Sequence, residues 1–385
     1  YFPIRVRNAI VKSTNICSTG SYLLVLIGIL VSGRYGNALG YNLITLGIVF
    51  FLAVLFFQLV TLPVEFNASG RAVRSLRETG ILNPVATAQR IHAAVLGGGS
   101  AFGLDAAGGV MRYLEKKGFG VEVRDIHVPL VTQVDIFDLP VGDPRVRPDQ
   151  EMGYAACQMA EAGKRGNFRS GNYGAGCGAT VGKYAGGDHA MKGGIGSCVL
   201  RQGRLMVGAI VAVNAFGDIY NWKTGQKIAG ARTDDGRLYG MEDMVSFLRK
   251  NEASRIQDAP AAETALNTTI GIVFTNASLS KAELCKMAAM AHDGFARSIS
   301  PIHTSGDGDS IIALSVTRGG SHHFEVIDAG CDTESTGEIP AGIDTVGTLA
   351  AWAVSEAILD GVQNAETAYG YPAMSDLHKT RIFPE

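Results

Sequence analysis

The chain is 385 residues long, 46% hydrophobic and 18% charged, with 34 basic against 36 acidic side chains. That length suggests about two or three domains with ample core, and the undiluted apolar content excludes wholesale disorder. A net charge of −2 argues against a protein built around nucleic-acid backbone binding, and 49 glycines without a Gly-X-Y period point to tight turns rather than collagen.

The chain opens at Tyr1 without an initiator Met, as a fragment or processed product would. From Ser13 to Gly33 there is no charged residue, and from Tyr35 to Val64 there is none again; Arg34 alone separates the runs. The second run contains LITLGIVFFLAVLFFQLVTL (Leu43 to Leu62), long enough to cross a bilayer as a helix. The first is less apolar, and a pair of buried core helices is the competing reading. Uncharged runs of this length favour a transmembrane hairpin. Arg5, Arg7 and Lys12 precede the first span and Arg71, Arg74 and Arg77 follow the second, which puts both ends in the cytoplasm by the positive-inside rule. Asn67 or Ser69 then caps a short amphipathic helix through Arg77, ended by Gly80, and Asn83-Pro84 breaks the chain.

Beyond His92 strands and helices alternate with glycine-rich joints. HAAVLGGG (His92 to Gly99) predicts a buried strand and turn. SAFGLDAAGGVMRYLEKKG predicts a helix with Phe102, Ala106, Val110 and Leu114 on one face and Gly118 at its end. VEVRDIHVPLV is extended, GRLMVGAIVAVNAFGDIY (Gly203 to Tyr220) predicts a strand pair, and NTTIGIVFTN (Asn267 to Asn276) another strand. KAELCKMAAMAHDGFARSI (Lys281 to Ile299) and TVGTLAAWAVSEAILDGVQNA predict helices, and no repeat is visible. The mix suggests α/β layers with helices covering sheets.

Several motifs fail on their own chemistry. GGGSAFG has imperfect spacing for a dinucleotide loop and no evident acidic ribose partner, so close helix–strand packing explains its glycines better. GCGATVGK (Gly176 to Lys183) has Tyr184 where a phosphate loop needs Ser or Thr for magnesium. There is no H-E-x-x-H pair, and neighbouring His322 and His323 point apart in a strand, so no metal is expected. No G-x-S-x-G elbow offers a serine nucleophile. The cysteines Cys17, Cys157, Cys177, Cys198, Cys285 and Cys331 lie far apart, a spacing that fits buried thiols in a reducing compartment. The N-x-[ST] sites at Asn67, Asn267 and Asn276 are not expected to be glycosylated in a cytoplasmic chain.

Asn267-Thr268-Thr269 follows a polar, alanine-rich connection and opens an apolar strand. A break between Asn267 and Thr268 would give Thr268 a free α-amine beside its own hydroxyl. The unperturbed pKa of such an amine, about 7.7–8.0, suits a general base. Plain structural preference also accounts for the pattern, since Thr favours strands and Asn the turn before them.

The stretches HAAVLGGGSAFGLDAAGGVMRYLEKKG, GAGCGATVGK, MKGGIGS, VGAIVAVNAFGD, NTTIGIVFTNA, MAHDGFARSISPIHTSGDGDS and YPAMSDL follow one another from His92 to about Leu377. On them the chain resembles the L-aminopeptidase/D-esterase family of N-terminal-nucleophile hydrolases, which includes β-aminopeptidases and nylon-oligomer hydrolases. The resemblance implies an α/β fold, an αββα sandwich, that cleaves itself between Asn267 and Thr268 and then uses Thr268 as nucleophile. It implies an oxyanion-stabilising amide at Asn214, a lysine beside the nucleophile at Lys183, and the acidic pair Asp307 and Asp309. Phe137 stands in DIFDL where some members carry a substrate-contacting tyrosine, which unsettles the substrate class more than the reaction.

IRVRNAIV, the two spans and QLVTLPVEFNASGRAVRSLRE resemble instead the C-terminal membrane part of a zinc-peptidase family, without its H-E-x-x-H portion. The expected organisation is a transmembrane hairpin over 1–66, a linker helix and junction over 67–91, and a hydrolase domain over 92–385 that lacks the family's first strands. The expected function is a self-processing aminopeptidase or amidohydrolase acting on small peptides or amides without a cofactor. It would be anchored in the lipid bilayer, with its hydrolase domain cytoplasmic, and homo-oligomeric. The alternatives are an acyltransferase of the ornithine-acetyltransferase type and an inactive membrane-anchored fusion that never matures.

Overall fold

The computed structural model describes residues 87–162, 168–256, 267–316 and 339–379, together with the isolated helical positions Ile29, Asn42, Thr45 and Leu46. Two compact units divide the chain, 1–87 and 88–385. Both expected membrane spans, the amphipathic helix over 67–77 and His322-His323 lie outside the described residues, apart from those four positions. Among the described residues no helix is long and apolar enough to cross a membrane.

The second unit begins with β1 (Ala93–Gly97), a short 3-10 turn, α1 (Ala106–Lys116), β2 (Val121–Val123), β3 (Ile126–Val128), β4 (Val131–Asp135) and α2 (Gln150–Glu161). There follow β5 (Thr180–Val181), β6 (Met191–Lys192), β7 (Gly194–Gln202), β8 (Leu205–Val213), β9 (Asp218–Tyr220), β10 (Lys227–Ala229) and α3 (Met241–Ile256). The rest is β11 (Ile270–Thr275), α4 (Lys281–Ser298), β12 (Ile299–Ser300), β13 (Ser310–Ser315), α5 (Ile343–Gln363) and α6 (Met374–Lys379).

The central sheet runs β13-β11-β8-β7, with β11 parallel to β13 and antiparallel to β8. Strand β8 is buried on both faces. Val207, Ala209, Val211 and Val213 join the large core with Phe295 of α4 and Val354 of α5. Ala212 and Ile210 face the other way, toward Ile136, Ile195 and Ile270, where Leu96 of β1 and Val134 of β4 also pack. The parallel pair β1–β4 thus lies on the face opposite α4 and α5.

Helix α4 opens on a reciprocal cap: Ser280 N donates to Glu283 Oε2 at 2.8 Å and Glu283 N to Ser280 Oγ at 3.3 Å. Helix α5 lies flat on β7 because Gly196 has no side chain; a Cβ there would sit 2.2 Å from Ala357 O.

Three local expectations need correction. Phe102 is not on the apolar face of α1; it sits in the preceding 3-10 turn and is 59% exposed, whereas Ala106 and Val110 are buried. The predicted strand pair over Gly203 to Tyr220 is split, with β8 in the central sheet and β9 in a separate three-stranded sheet between β10 and β12. None of the four described cysteines is buried: Cys177 and Cys285 are exposed, Cys157 and Cys198 half-buried.

Gly182 is the joint that presents Lys183. Its φ is 72°, and a Cβ there would meet Ala231 N at 1.9 Å. Gly182→Ala combines left-handed strain with a backbone clash, so it is expected to destabilise the unit by at least about 2 kcal/mol. A urea midpoint within error of the parent's would contradict this.

Candidate active site

Three sequence-distant motifs meet because of strand register. Ile270 pairs with Ala212 of β8 and with Ser310 of β13. Continuing both ladders by two residues brings Thr268 beside Asn214 and Gly308. The hydrogen bonds agree: Thr268 N donates to Asn214 O at 3.2 Å, and Gly308 N donates to Asn267 O at 2.8 Å. Asn267 N reaches Gly306 O at 3.3 Å, and Thr269 N reaches Asp309 Oδ1 at 2.7 Å. The segment before β11 is therefore clamped from both neighbouring strands. Gly308 leaves room for the Thr268 hydroxyl, since a Cβ there would stand 3.1 Å from Thr268 Oγ1.

Lys183 arrives on the loop after β5, held by Gly182 N to Gly217 O (2.9 Å) and Lys183 N to Phe216 O (2.8 Å). Its neighbour Tyr184 is fully buried and donates to Asp218 Oδ2 at 2.9 Å; Lys227 pairs with the same carboxylate, and Ala231 N donates to its other oxygen at 2.8 Å. The Lys183 ammonium donates to Asn214 Oδ1 at 2.7 Å and to Asn214 O at 3.2 Å. Asn214, 0% exposed, also accepts from Thr180 N at 3.1 Å and donates from Nδ2 to Phe137 O at 2.9 Å. Thr268 N and Lys183 Nζ thus share one acceptor, Asn214 O.

Burial pulls the Lys183 ammonium down to about 7, against the opposing charges of Asp307, Asp138 and Asp309. Burial likewise raises Asp309, with Asp307 adding to it while the Thr269 amide and His303 oppose it. Asp135 is pushed up to about 6 by burial, against a hydrogen bond from Gln133. A cleft of about 450 Å³ opens over this ground, lined among others by Leu104, Asp135, Phe137, Thr268, Asp307 and Gly308. Asp135 Oδ2 and Asp307 Oδ1 are buried in the cleft wall without a hydrogen-bond partner among the described residues.

All the residues singled out in the sequence, Thr268, Asn267, Asn214, Lys183, Asp307, Asp309 and Phe137, fall in this neighbourhood. The sequence reading missed Asp135 and Asp138, which flank Phe137 in DIFDL, and His303, whose Nδ1 lies 2.9 Å from Asp309 Oδ2. It also missed Lys192, 0% exposed, whose ammonium donates to Gly176 O and Ala179 O at 3.1 and 2.8 Å. Among the described residues no group of three or more His, Cys, Asp and Glu side chains is placed to hold a metal ion.

Burial lowers Lys192 to about 8, so two lysines have folded-state pKa values far below the unfolded value of about 10.4. Between about pH 7 and 8.5 the unfolded chain therefore binds more protons, and stability rises with pH across that window. In the Thr268→Ala protein the melting temperature is expected to climb over this range. Lys183→Met should flatten the slope; an unchanged slope would count against the buried ammonium.

This is an α/β protein in which a strand-opening threonine, a buried amide and a buried lysine converge on an acidic cleft. The chain belongs to Peptidase family S58, whose sequence pattern matches residues 65–374. Residues 1–97 match a second family, described as "Putative neutral zinc metallopeptidase". An uncharacterized aminopeptidase of Mycobacterium leprae is 36% identical over 318 residues, covering 78% of this chain and 79% of its own. A 6-aminohexanoate-oligomer endohydrolase of Kocuria sp. is 28% identical over 279 residues, covering 71% and 72%. Among solved structures, a Burkholderia sp. beta-aminopeptidase aligns over 73% of each chain with 20% identity and a TM-score of 0.43. The protein is thus a hydrolase of peptide or amide bonds.

Proposed function

We propose that the chain is a self-processing aminopeptidase or amidohydrolase of the αββα N-terminal-nucleophile type, with Thr268 as its nucleophile. The observation that carries this reading is the shared acceptor: the Thr268 amide and the Lys183 ammonium both donate to Asn214 O. In the first reaction Thr268 Oγ1 attacks the Asn267 carbonyl carbon. The C–O bond forms, the C–N bond breaks, and the departing Thr268 nitrogen takes up a proton. The Gly308 amide on Asn267 O is a ready donor to the oxyanion of that step. Water then hydrolyses the ester, leaving Thr268 with a free α-amine.

That amine and Lys183 lie at one shared acceptor, where like charges disfavour protonating both, so the pair supplies a neutral amine near neutral pH. It accepts the hydroxyl proton as Oγ1 attacks a substrate amide, and returns it to the leaving amine. Asn214 Nδ2, with one hydrogen on Phe137 O, offers its other hydrogen to the oxyanion. The acyl-enzyme is released by water. Asp135 and Asp307 suit a substrate with a free amine, and the cleft volume suits a small peptide or amide. Asp309 fixes the strand end through Thr269 N.

Intact mass under denaturing conditions tests the reading: two fragments, 1–267 and 268–385, are expected from the parent. A parent that stays one chain under conditions where its fold is intact would overturn it. The uncharged runs before residue 65 support a membrane anchor with the hydrolase unit on the cytoplasmic side, and the family resemblance supports a homo-oligomer. Release of the full chain from membranes by alkaline carbonate would refute the anchor.

A further inference from the structure

We propose that His303 is a positioning residue for the nucleophile: its imidazole holds the Asp309 carboxylate against the Thr269 amide and so fixes the residue that follows Thr268. The inference rests on the Thr268 reading above.

Asp309 is nearly enclosed, its side chain 3% exposed, and a carboxylate so placed needs donors on both oxygens. Oδ1 takes the Thr269 amide at 2.7 Å. Oδ2 is served by His303 alone among the contacts described, from the backbone N–H at 3.3 Å and from ring Nδ1 at 2.9 Å. An ionised carboxylate only accepts, so Nδ1 carries the hydrogen. His303 reaches one oxygen twice because its backbone is in the left-handed region, with φ at 57°. That conformation is uncommon for a residue with a side chain. The ring is held from behind by α4: His292 lies 4.9 Å away between ring centroids and Phe295 6.2 Å.

The charged or titratable groups facing the pair are Asp307 on the same loop, Lys183 on the loop after β5, and His292 on α4, which itself neighbours Asp293. Asp307 disfavours the Asp309 anion, while His303 and the Thr269 amide favour it. Removing His303 therefore loosens the strand end and makes Asp309 easier to protonate.

Two substitutions separate this role from simple packing. His303→Gly keeps the backbone conformation and removes the donor. His303→Asn tolerates the same φ and restores an N–H close to the position of Nδ1. With one charge-assisted hydrogen bond lost, His303→Gly is expected to mature at least about tenfold more slowly, and the acid limb of kcat/KM in its matured form should move to higher pH. His303→Asn should recover both to within about threefold of the parent. A second arm uses the Thr268→Ala chain, which requires no cleavage. There His303→Gly is expected to speed hydrogen exchange of the peptide carrying the Thr269 amide at least about tenfold, with His303→Asn reversing it. Parent-like exchange and acid limb in the Gly variant would overturn the proposal. So would equal damage in both variants with the acid limb unmoved, which would assign His303 to packing on His292 and Phe295. An uncut parent would count against the Thr268 reading, and the exchange arm would still decide the role of His303.

Discussion

Thr268→Ala is expected to remain a single 40.6-kDa chain and to lose at least about 10⁴-fold in kcat/KM. The substitution removes the oxygen proposed to attack both the Asn267 carbonyl and the substrate. It leaves the clamp untouched, because the contacts of residues 267–269 with Asn214, Gly306, Gly308 and Asp309 use backbone atoms of this segment. Stability should therefore stay within about 1 kcal/mol of the uncut parent, and a melting curve separates lost chemistry from lost fold. Thr268→Ser keeps the hydroxyl and is expected to mature. Cleavage of the Ala variant at the same bond would assign the nucleophile elsewhere.

Asn214→Asp is expected to lower kcat by about 10²–10³-fold with a much smaller change in KM. The side chain keeps its shape and loses its hydrogens, so an oxygen faces Phe137 O where Nδ2 now donates, and no donor is left for an oxyanion. The new carboxylate also stands against the Lys183 ammonium and raises it from about 7, since opposite charges favour ionisation. Any limb of the pH–rate profile that reports Lys183 should move to higher pH with the loss of kcat. A variant with parent-like kcat would remove Asn214 from the chemistry.

The parts of this site that were legible in the sequence sit at the ends of apolar strands. Asn214 ends β8, Thr268 precedes β11, and Asp307 and Asp309 precede β13. Apolar runs locate the strand ends, and the pattern by itself singles out Thr268; Asn214, Asp307 and Asp309 are implied by the family resemblance. Lys183 was legible only through the family resemblance, since its glycine-rich loop fails as a phosphate loop on its own chemistry. What escaped notice depends on burial that no local pattern encodes. Lys192 reads as a surface lysine beside two glycines, and only the folding of the Gly176–Ala179 turn over it makes it a buried donor. His303 reads as a loop histidine until its left-handed backbone turns it onto Asp309. Phe102 was misplaced for a related reason: the glycine-rich turn before α1 is 3-10, so the 3.6-residue face does not extend back to it. The joining of β8 and β9 failed at the bend through Gly217, which lies too close to Ser300 and Pro301 to admit a side chain.

The position of β11 between β8 and β13 has a consequence for the protein once cut as proposed. All six of its residues pair on both sides, so the segment behind Thr268 is an interior member of the sheet. A nick at its start frees no surface, and the two pieces stay interlocked as one folding unit. Their undoing, however, turns from a one-body into a two-body event. The melting temperature of the cut form should rise with protein concentration, whereas that of the uncut Thr268→Ala chain should not.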